Sequence, residues 1–447
     1  MSTLKKLIPF ILAIALIILF IYIGYLKKAS ITTESVQPAE KVKITFWFEH
    51  VGHHRTAIWE NLIAIFEKEH PHIEIVYEEF LKDTAKVKFD AAIASGDVPD
   101  VGSIYTSWLP EYNDRDALLP LDSYFNSWSD KYKISQDTLN FNRSIVGDMK
   151  LYSIPYTQNL DVLWVRKDWL KELGMESPKT WNAFFDTIEK LTNVEENRYG
   201  YSIRGGMGSS FQLQRMMYAY SGISDYIKDG KSSINDPLHV EFLKKYVALY
   251  QQYTPISDIT SDLSLMLSEF DNGTIGMIQH NIGSFAEHNE FLQPHQFEAT
   301  PLPKSVNGYY VVEGGNTMGI SIFKQTKHPD ESWEFLSFLT SKEAQSYWNR
   351  EVGQMPTHQD VFNETWAKEA PHLQAALKVY RAPDTIFYEP PFYLIEYNKI
   401  RSTIVEPGIQ EILSGTKTVE QFLDEWAKVL EDTHQHYMEY LKGSTMK

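Results

Sequence analysis

From residue 42 onward the chain alternates short runs of strand character with longer runs of helical spacing, and this alternation most limits the folds open to it. VKITFWF is a short apolar run suited to a buried strand, HRTAIWENLIAIFEKEH places apolar side chains three and four apart, and HIEIVYEE alternates with period two. A β-α-β opening of this kind predicts a sheet covered by helices. Pro71 separates the first helix from the second strand, since proline has no N–H with which to extend a helix. A further helix is expected from about residue 85 to 94, stopping at Gly96, with PDVGSIY as the next strand.

The same interleaving continues. An extended segment through YSIPYTQ is followed by the strand DVLWVR, a helix, and then SPKTW, where Thr180 is placed to cap a helix that begins at Trp181. RGGMGSS lacks the lysine of a phosphate-binding loop and follows no clear strand, so it reads as a plain loop. A long helix is expected from Pro237 to about residue 252, and FDNGTIGMIQHNIGSF reads as turn, strand and loop. After Pro303 come VVEGGNTMGISI, the helix DESWEFLSFLTSKEAQSYW and two helical stretches divided by Gly415. No tandem repeat is visible, which argues against a solenoid or propeller. No single cut divides the chain into two sequential domains.

Ahead of this body, LIPFILAIALIILFIYIGYL, residues 7–26, is uncharged and flanked on both sides by a lysine pair. As a helix it is long enough to span a bilayer core of about 30 Å, and no small-residue cleavage pattern follows it. An uncleaved N-terminal anchor is expected, with a cleaved signal and secretion as the alternative. Residues 29–41, ASITTESVQPAEK, read as a polar tether.

The formal charge is −17, and because the first 28 residues hold four lysines and no acid, the remainder is more acidic still. Such a surface repels phosphate backbones, so no nucleic-acid partner is expected. The absence of cysteine removes disulfides, thiolate metal sites, a cysteine nucleophile and the thiol that lipoproteins modify. G-x-S-x-G, H-E-x-x-H and P-loop patterns are also missing, and 59 acidic residues single out no carboxylate pair for glycoside hydrolysis. Glu49, His50, His53 and His54 could in principle ligate zinc. Adjacent side chains on a helix diverge by roughly 100°, however, so His53 and His54 read as a solvated helix start. No metal, cofactor or enzymatic activity is expected.

Taken in order, KITFWF with FEKEHPHIEI, AAIASGDVPDV, the block from SIPY to SPKTW, FDNGTIGMI, and VEGGNTMGISI followed by HPDESWEFLSFLTSKEAQ and GQMP resemble the family 1 extracellular solute-binding proteins of bacterial ABC importers. SGTKTVEQFLDEWAKVL adds a weaker block near the end. This resemblance, to the group containing maltose-binding protein, implies an α/β fold with two lobes of the type II periplasmic-binding-protein kind and a cleft between them. It implies crossings near residues 155–159 and 314–319 and a third before the C-terminal helices. The expected organisation is therefore an anchor or signal segment at 1–28, a linker at 29–41, one lobe from 42–156 with 317–375, the other from 157–316 with 376–442, and a tail at 443–447.

The resemblance further implies a monomer, tethered outside a Gram-positive-like cell, that captures a carbohydrate ligand and presents it to the transmembrane subunits of an ABC permease. A sensory binding subunit and a non-sugar solute, such as a polyamine or phosphate ester, stand as alternatives. Sugars are held by aromatic faces and planar polar groups, and the regions implied to face the cleft supply both. The candidates are Trp47, Glu49, His50, Tyr105, Ser107, Trp108, Tyr156, Gln158, Asn159, Phe211, His280, Asn281, Ser284, Phe285, Gly315, Asn316, Phe392, Tyr393 and Glu396. The chain departs from the resemblance at Gly283 and Asn316, in neighbourhoods where many sugar-binding members carry tryptophan.

Overall fold

A computed structural model of the chain describes residues 4–30, 41–50 and 53–445, with side chains described throughout except at 4–12, 29–30, 50, 53–54, 82–83 and 443–445. It divides into two units, residues 1–42 and 43–447. In the first unit a helix, Leu4–Ser30, covers the backbone of the expected apolar run, and its described side chains, at residues 13–28, are exposed. Residues 7–12 of that run lie outside the described side chains, and most of the expected linker lies outside the described residues. Among the described residues no helix is long and apolar enough to cross a membrane.

The second unit is built on two main sheets. The larger has six strands in the order Met355–Pro356, Ile154–Gln158, Thr317–Ile322, Val101–Tyr105, Val42–His50 and Ile73–Leu81. Val42–His50 runs parallel to Val101–Tyr105, whereas Thr317–Ile322 is antiparallel to both its neighbours. The smaller sheet has three strands, with Asp161–Arg166 in the middle and Met277–Asn281 and Phe297–Thr300 antiparallel on either side. Tyr310–Glu313 and Thr385–Tyr388 form a separate parallel pair.

Sequence pattern explains the packing. In the first strand Ile44, Phe46 and Phe48 share one face and are fully buried, as period-two alternation demands. Phe46 and Phe48 meet Trp59 from the helix His53–Glu69, with ring centroids 5.2 and 5.5 Å away, and Phe46 meets Phe335 from the helix Pro329–Leu339 at 5.2 Å. On the first helix the buried set Ile58, Trp59, Leu62, Ile63 and Phe66 follows the 3.6-residue period. The helix Lys82–Ser95 stops at Gly96, as the sequence predicts, and Thr180 Oγ1 accepts the Ala183 N–H at 3.2 Å, capping the helix Trp181–Leu191. The helix from Pro237 ends at Val247 rather than near 252, because the chain turns there and Gln251 takes a left-handed φ of 62°. The C-terminal helix Val419–Thr445 buries Val419, Phe422, Leu423, Trp426, Ala427 and Leu430, a stripe of helical spacing.

The passages between the sheets position everything that follows. Only Asn159 and Leu160 separate Ile154–Gln158 in the larger sheet from Asp161–Arg166 in the smaller. Residues 314–316 carry the chain from Tyr310–Glu313 back into the larger sheet at Thr317. The two passages are joined, the Asn159 N–H donating to Asn316 O at 2.9 Å. Strand direction and register then bring one edge of each sheet to this junction. Tyr105 pairs with Met318 and Gln158 with Thr317 in the larger sheet, while Asp161 pairs with Asn281 in the smaller.

Candidate functional site

A cavity of about 600 Å³ opens where these edges meet. That size suits a small organic ligand, for which sites of roughly 300–1,000 Å³ are usual. The larger sheet contributes Tyr105 and, through the short turn Thr106–Trp108, Ser107 and Trp108. The passages contribute Asn159, Gly315, Asn316 and Thr317, and the smaller sheet contributes Gln279, His280 and Asn281. Opposite lies the helix Ser209–Ser221 with Phe211, Gln212 and Arg215.

RGGMGSS is a loop that leads directly into this helix, and it brings Arg204 and Met207 to the wall. Its glycines let the backbone press against another segment: the Gly205 N–H donates to Asp258 O at 2.8 Å and the Gly206 N–H to Ser261 O at 2.9 Å. A Cβ on Gly205 would fall 2.5 Å from Asp258 O, which no side chain tolerates.

Residues 392–406 add a further part of the wall, including Phe392, Glu396, Asn398, Lys399 and Arg401. Here the helix Tyr397–Ile400 widens into a π-helical turn, Arg401–Val405, before the helix Glu406–Leu413. Pro407 explains the widening, since it has no N–H to return to the preceding turn and its ring crowds a regular helix. Arg401 is 3% exposed; its guanidinium carbon lies 3.2 Å from the centre of the Phe211 ring, and its Nε donates to Ser210 Oγ at 3.2 Å.

Beneath the aromatic wall lies a buried ion cluster. Arg215 Nε is 3.0 Å from Glu313 Oε2 and 3.2 Å from Asp161 Oδ2, while its Nη2 donates to Glu313 Oε1 at 3.1 Å. Gln214 Nε2 and Tyr388 OH also donate to Glu313 Oε2, at 3.1 and 2.9 Å. The two carboxylates respond differently to the same burial. Burial pushes the Asp161 carboxyl up, and with Glu313 nearby the pull of Arg215 leaves it at about 6. Burial also pushes Glu313 up, but the Arg215 charge and four donated hydrogen bonds outweigh it, holding its carboxyl below the ordinary glutamate value. Glu313 is therefore the firmly ionised partner of Arg215.

Of the residues singled out from sequence, Tyr105, Ser107, Trp108, Asn159, Phe211, His280, Asn281, Gly315, Asn316, Phe392 and Glu396 line this cavity. Others lie behind it. Glu49 is buried and accepts a hydrogen bond from Tyr105 OH at 3.0 Å, so it positions a wall residue from outside the wall. Trp47 packs edge-on against Phe80 and Phe89. Tyr156 is a core residue against Trp59 and Trp348, sharing a hydrogen bond with Ser103 Oγ at 3.1 Å. Gln158 is buried within its strand, paired with Thr317 and Met355. Ser284 Oγ lies 3.1 Å from His280 Nδ1, Phe285 stacks on His372 at 3.8 Å, and Tyr393 OH lies 2.9 Å from His434 Nδ1. The side chains of His50, His53 and His54 lie outside the described residues. Among the described residues no cluster of three or more His, Cys, Asp or Glu could hold a metal ion.

Sequence reasoning passed over Arg204, Gln212, Arg215, Gln279, Glu313, Asn398, Lys399 and Arg401. Four of these had a signal at hand: Glu313 directly precedes the glycine pair of a crossing, and Asn398, Lys399 and Arg401 lie in NKIRS, which begins five positions after Tyr393 of the aromatic pair Phe392 and Tyr393. Nothing local marks Arg215, because its partners lie far away in sequence.

A family model described as bacterial extracellular solute-binding protein matches residues 52–346. The multiple sugar-binding protein of Streptococcus mutans is 23% identical over 334 residues, covering 72% of this chain and 77% of that protein. Among solved structures, an ABC transporter solute-binding protein from Thermotoga lettingae bound with alpha-D-tagatose aligns with a TM-score of 0.77 at 20% identity, covering 88% of this chain and 100% of that one. The maltose-bound T. maritima MalE3 aligns with a TM-score of 0.75 at 22% identity, over 87% of this chain and 99% of that one. These likenesses show an α/β, two-lobed periplasmic-binding-protein-like fold.

Proposed function

Because the chain belongs to the bacterial extracellular solute-binding proteins, we propose that it is the substrate-binding component of an ABC importer that captures a carbohydrate, an oligosaccharide in our reading, and delivers it to the permease. The observation that carries this reading is the make-up of the cavity wall. Tyr105, Trp108, Phe211 and Phe392 offer apolar ring faces, and Asn159, Gln279, Asn281 and Asn316 offer planar groups that both donate and accept. Sugars present apolar C–H faces and paired hydroxyls that match these two kinds of surface. The name of the Streptococcus mutans relative supports the same solute class.

In this reading the site residues are the eleven sequence candidates on the wall together with Gln212, Gln279, Asn398 and Arg401. One lobe comprises 42–156 and the chain from 317, the other 157–316 and the C-terminal helices. Supporting a third passage ahead of Pro371, rather than near 375, is the packing of Leu373, Ala376 and Leu377 with Val162, Trp164 and Phe297. Ligand would select the closed lobes because only that form touches it from both sides. A screen of the purified protein against mono- and oligosaccharides, polyamines and sugar-free phosphate esters tests the solute class. Saturable stabilisation by a saccharide is expected, about 2.7 kcal/mol at a hundredfold excess over Kd. Stabilisation by polyamines or sugar-free esters alone would sink the carbohydrate assignment.

We also propose that the N-terminal segment tethers the protein at the outer face of the cell membrane. Its support is the uncharged run at residues 7–26 between lysine pairs, within a helix of 27 residues. Mass spectrometry of protein taken from membranes should find residues 7–26 retained. A mature chain that starts beyond Lys28 rules the anchor out.

A further inference from the structure

Among the described residues around the cavity, Arg401 is a buried cation with no carboxylate in ion-pair contact. Lys86 is held by Asp90 and Glu111 at 2.8 and 2.7 Å, and Arg215 by Glu313 and Asp161. Glu406 is occupied by the Gly208 N–H at 2.8 Å and Ser210 Oγ at 3.1 Å, and Glu396 is exposed at the rim. Arg401, by contrast, has only neutral oxygens as described hydrogen-bond partners, Ser210 Oγ at 3.2 Å and Asn398 Oδ1 at 3.5 Å. It is nonetheless 3% exposed, on the wall, with one face covered by the Phe211 ring.

A buried cation is costly unless an anion compensates it, and a guanidinium presents a planar fork that fits two oxygens of one oxyanion. Burial pulls the Arg401 guanidinium below its ordinary value, and the nearby Tyr397, Glu406 and Glu313 only partly offset it. A second cation stands two residues away. Lys399 also lines the cavity, and its described bonds use only its backbone oxygen, which accepts from Ser402 Oγ and Thr403 Oγ1.

We propose that the captured saccharide carries an oxyanion, a carboxylate or a phosphate ester, bound by Arg401 with Lys399 beside it. This rests on the carbohydrate reading above and narrows it. The oxyanion would supply the ionic partner that Arg401 lacks, while the ring faces and planar amides hold the neutral part of the sugar. Neutral sugars could still bind, more weakly, because the hydrogen bonds of the amides do not depend on the charge.

The test is calorimetric titration of the intact protein with matched pairs: α-1,4-linked di- and trigalacturonate against the corresponding galactose oligomers, and galactose 1-phosphate against galactose. One anionic member should bind about 30-fold more tightly than its neutral match, the effect of one charged hydrogen-bonded contact. Which pair shows it distinguishes carboxylate from phosphate. Arg401→Gln should bring that ratio to within about threefold, and Lys399→Gln, at an exposed position that spares the core, should lower it several-fold. Raised salt should weaken the anionic ligand and leave the neutral one unchanged.

Equal or tighter binding of the neutral members overturns the oxyanion proposal and leaves the carbohydrate reading intact. The same follows if neither member of any pair binds while other neutral saccharides do. If no saccharide binds at all, both fall. An anionic preference that survives both substitutions also overturns the assignment to Arg401 and Lys399.

Discussion

Arg215→Ala is expected to destabilise the protein by about 3–5 kcal/mol, the usual cost of stripping one partner from a buried ion pair. The side chains of Arg215, Asp161 and Glu313 are 10, 12 and 2% exposed, so neither carboxylate can recover water when the cation is lost. Three elements meet at this arginine: the helix Ser209–Ser221 that bears it, the strand Tyr310–Glu313 and the start of the strand Asp161–Arg166. The defect should depend on pH in a definite direction. Asp161 already lies at about 6 with Arg215 in place, and Arg215 acts to lower both carboxyls, so in the variant Asp161 rises further and Glu313 loses the charge that holds it down. A carboxyl raised in the folded state binds a proton that the unfolded chain, near 3.9, releases. Its contribution is thus present at low pH and lost as pH rises through the folded value.

Urea denaturation of wild type and variant at pH 5 and pH 8 should therefore show the larger difference at pH 8. Adding Glu313→Gln to Arg215→Ala should restore part of the loss, since it removes one of the stranded charges. A difference under about 1 kcal/mol at both pH values would show that water or a rearranged neighbour compensates the carboxylates.

Gly315→Ala should be the most damaging change at the passage itself. Gly315 has a φ of +71°, and an added Cβ would lie 1.8 Å from Cε1 of Phe141. The left-handed conformation costs a residue with a Cβ about 1–2 kcal/mol, and overpacking adds roughly 1–3 kcal/mol. Phe141 packs against Phe392 on the cavity wall, with ring centroids 6.4 Å apart, so its displacement should weaken ligand binding as well as stability. Gly314 is the control. It has no positive φ, and its Cβ would meet the flexible Glu389 Cγ at 3.1 Å, so Gly314→Ala should cost under about 1 kcal/mol. Phe141→Leu in the Gly315→Ala background should recover part of the overpacking term. If the two glycine variants melt alike in urea, the close approach of Phe141 does not constrain the passage.

Much of this architecture is legible along the chain. The first strand announces itself by Ile44, Phe46 and Phe48, the helix stop by Gly96 and the cap by Thr180, because each depends on neighbours within a few residues. Tyr105, Trp108, Asn159, Gly315 and Phe392 could be picked out for a related reason: they stand at strand ends, passages or loops, where chain direction changes and side chains leave the core. Glu49 and Tyr156 carry equally suggestive chemistry but sit behind the wall. Which face a strand residue presents depends on what packs on each side, and one-residue alternation looks the same from either side.

The order and spacing of strands, helices and glycine-marked turns determined an α/β body that no single cut divides, since period, cap and turn chemistry act over a few residues; the crossings between sheets were implied by the family resemblance alone. Only the tertiary structure decided which charges face the cavity and which are spent elsewhere. Arg215 meets Glu313 across 98 positions, Arg401 meets Ser210 across 191, and Arg55 meets Gly283 O across 228. The worth of a charge depends on its burial and its partner, and both are properties of the folded chain rather than of any stretch of it.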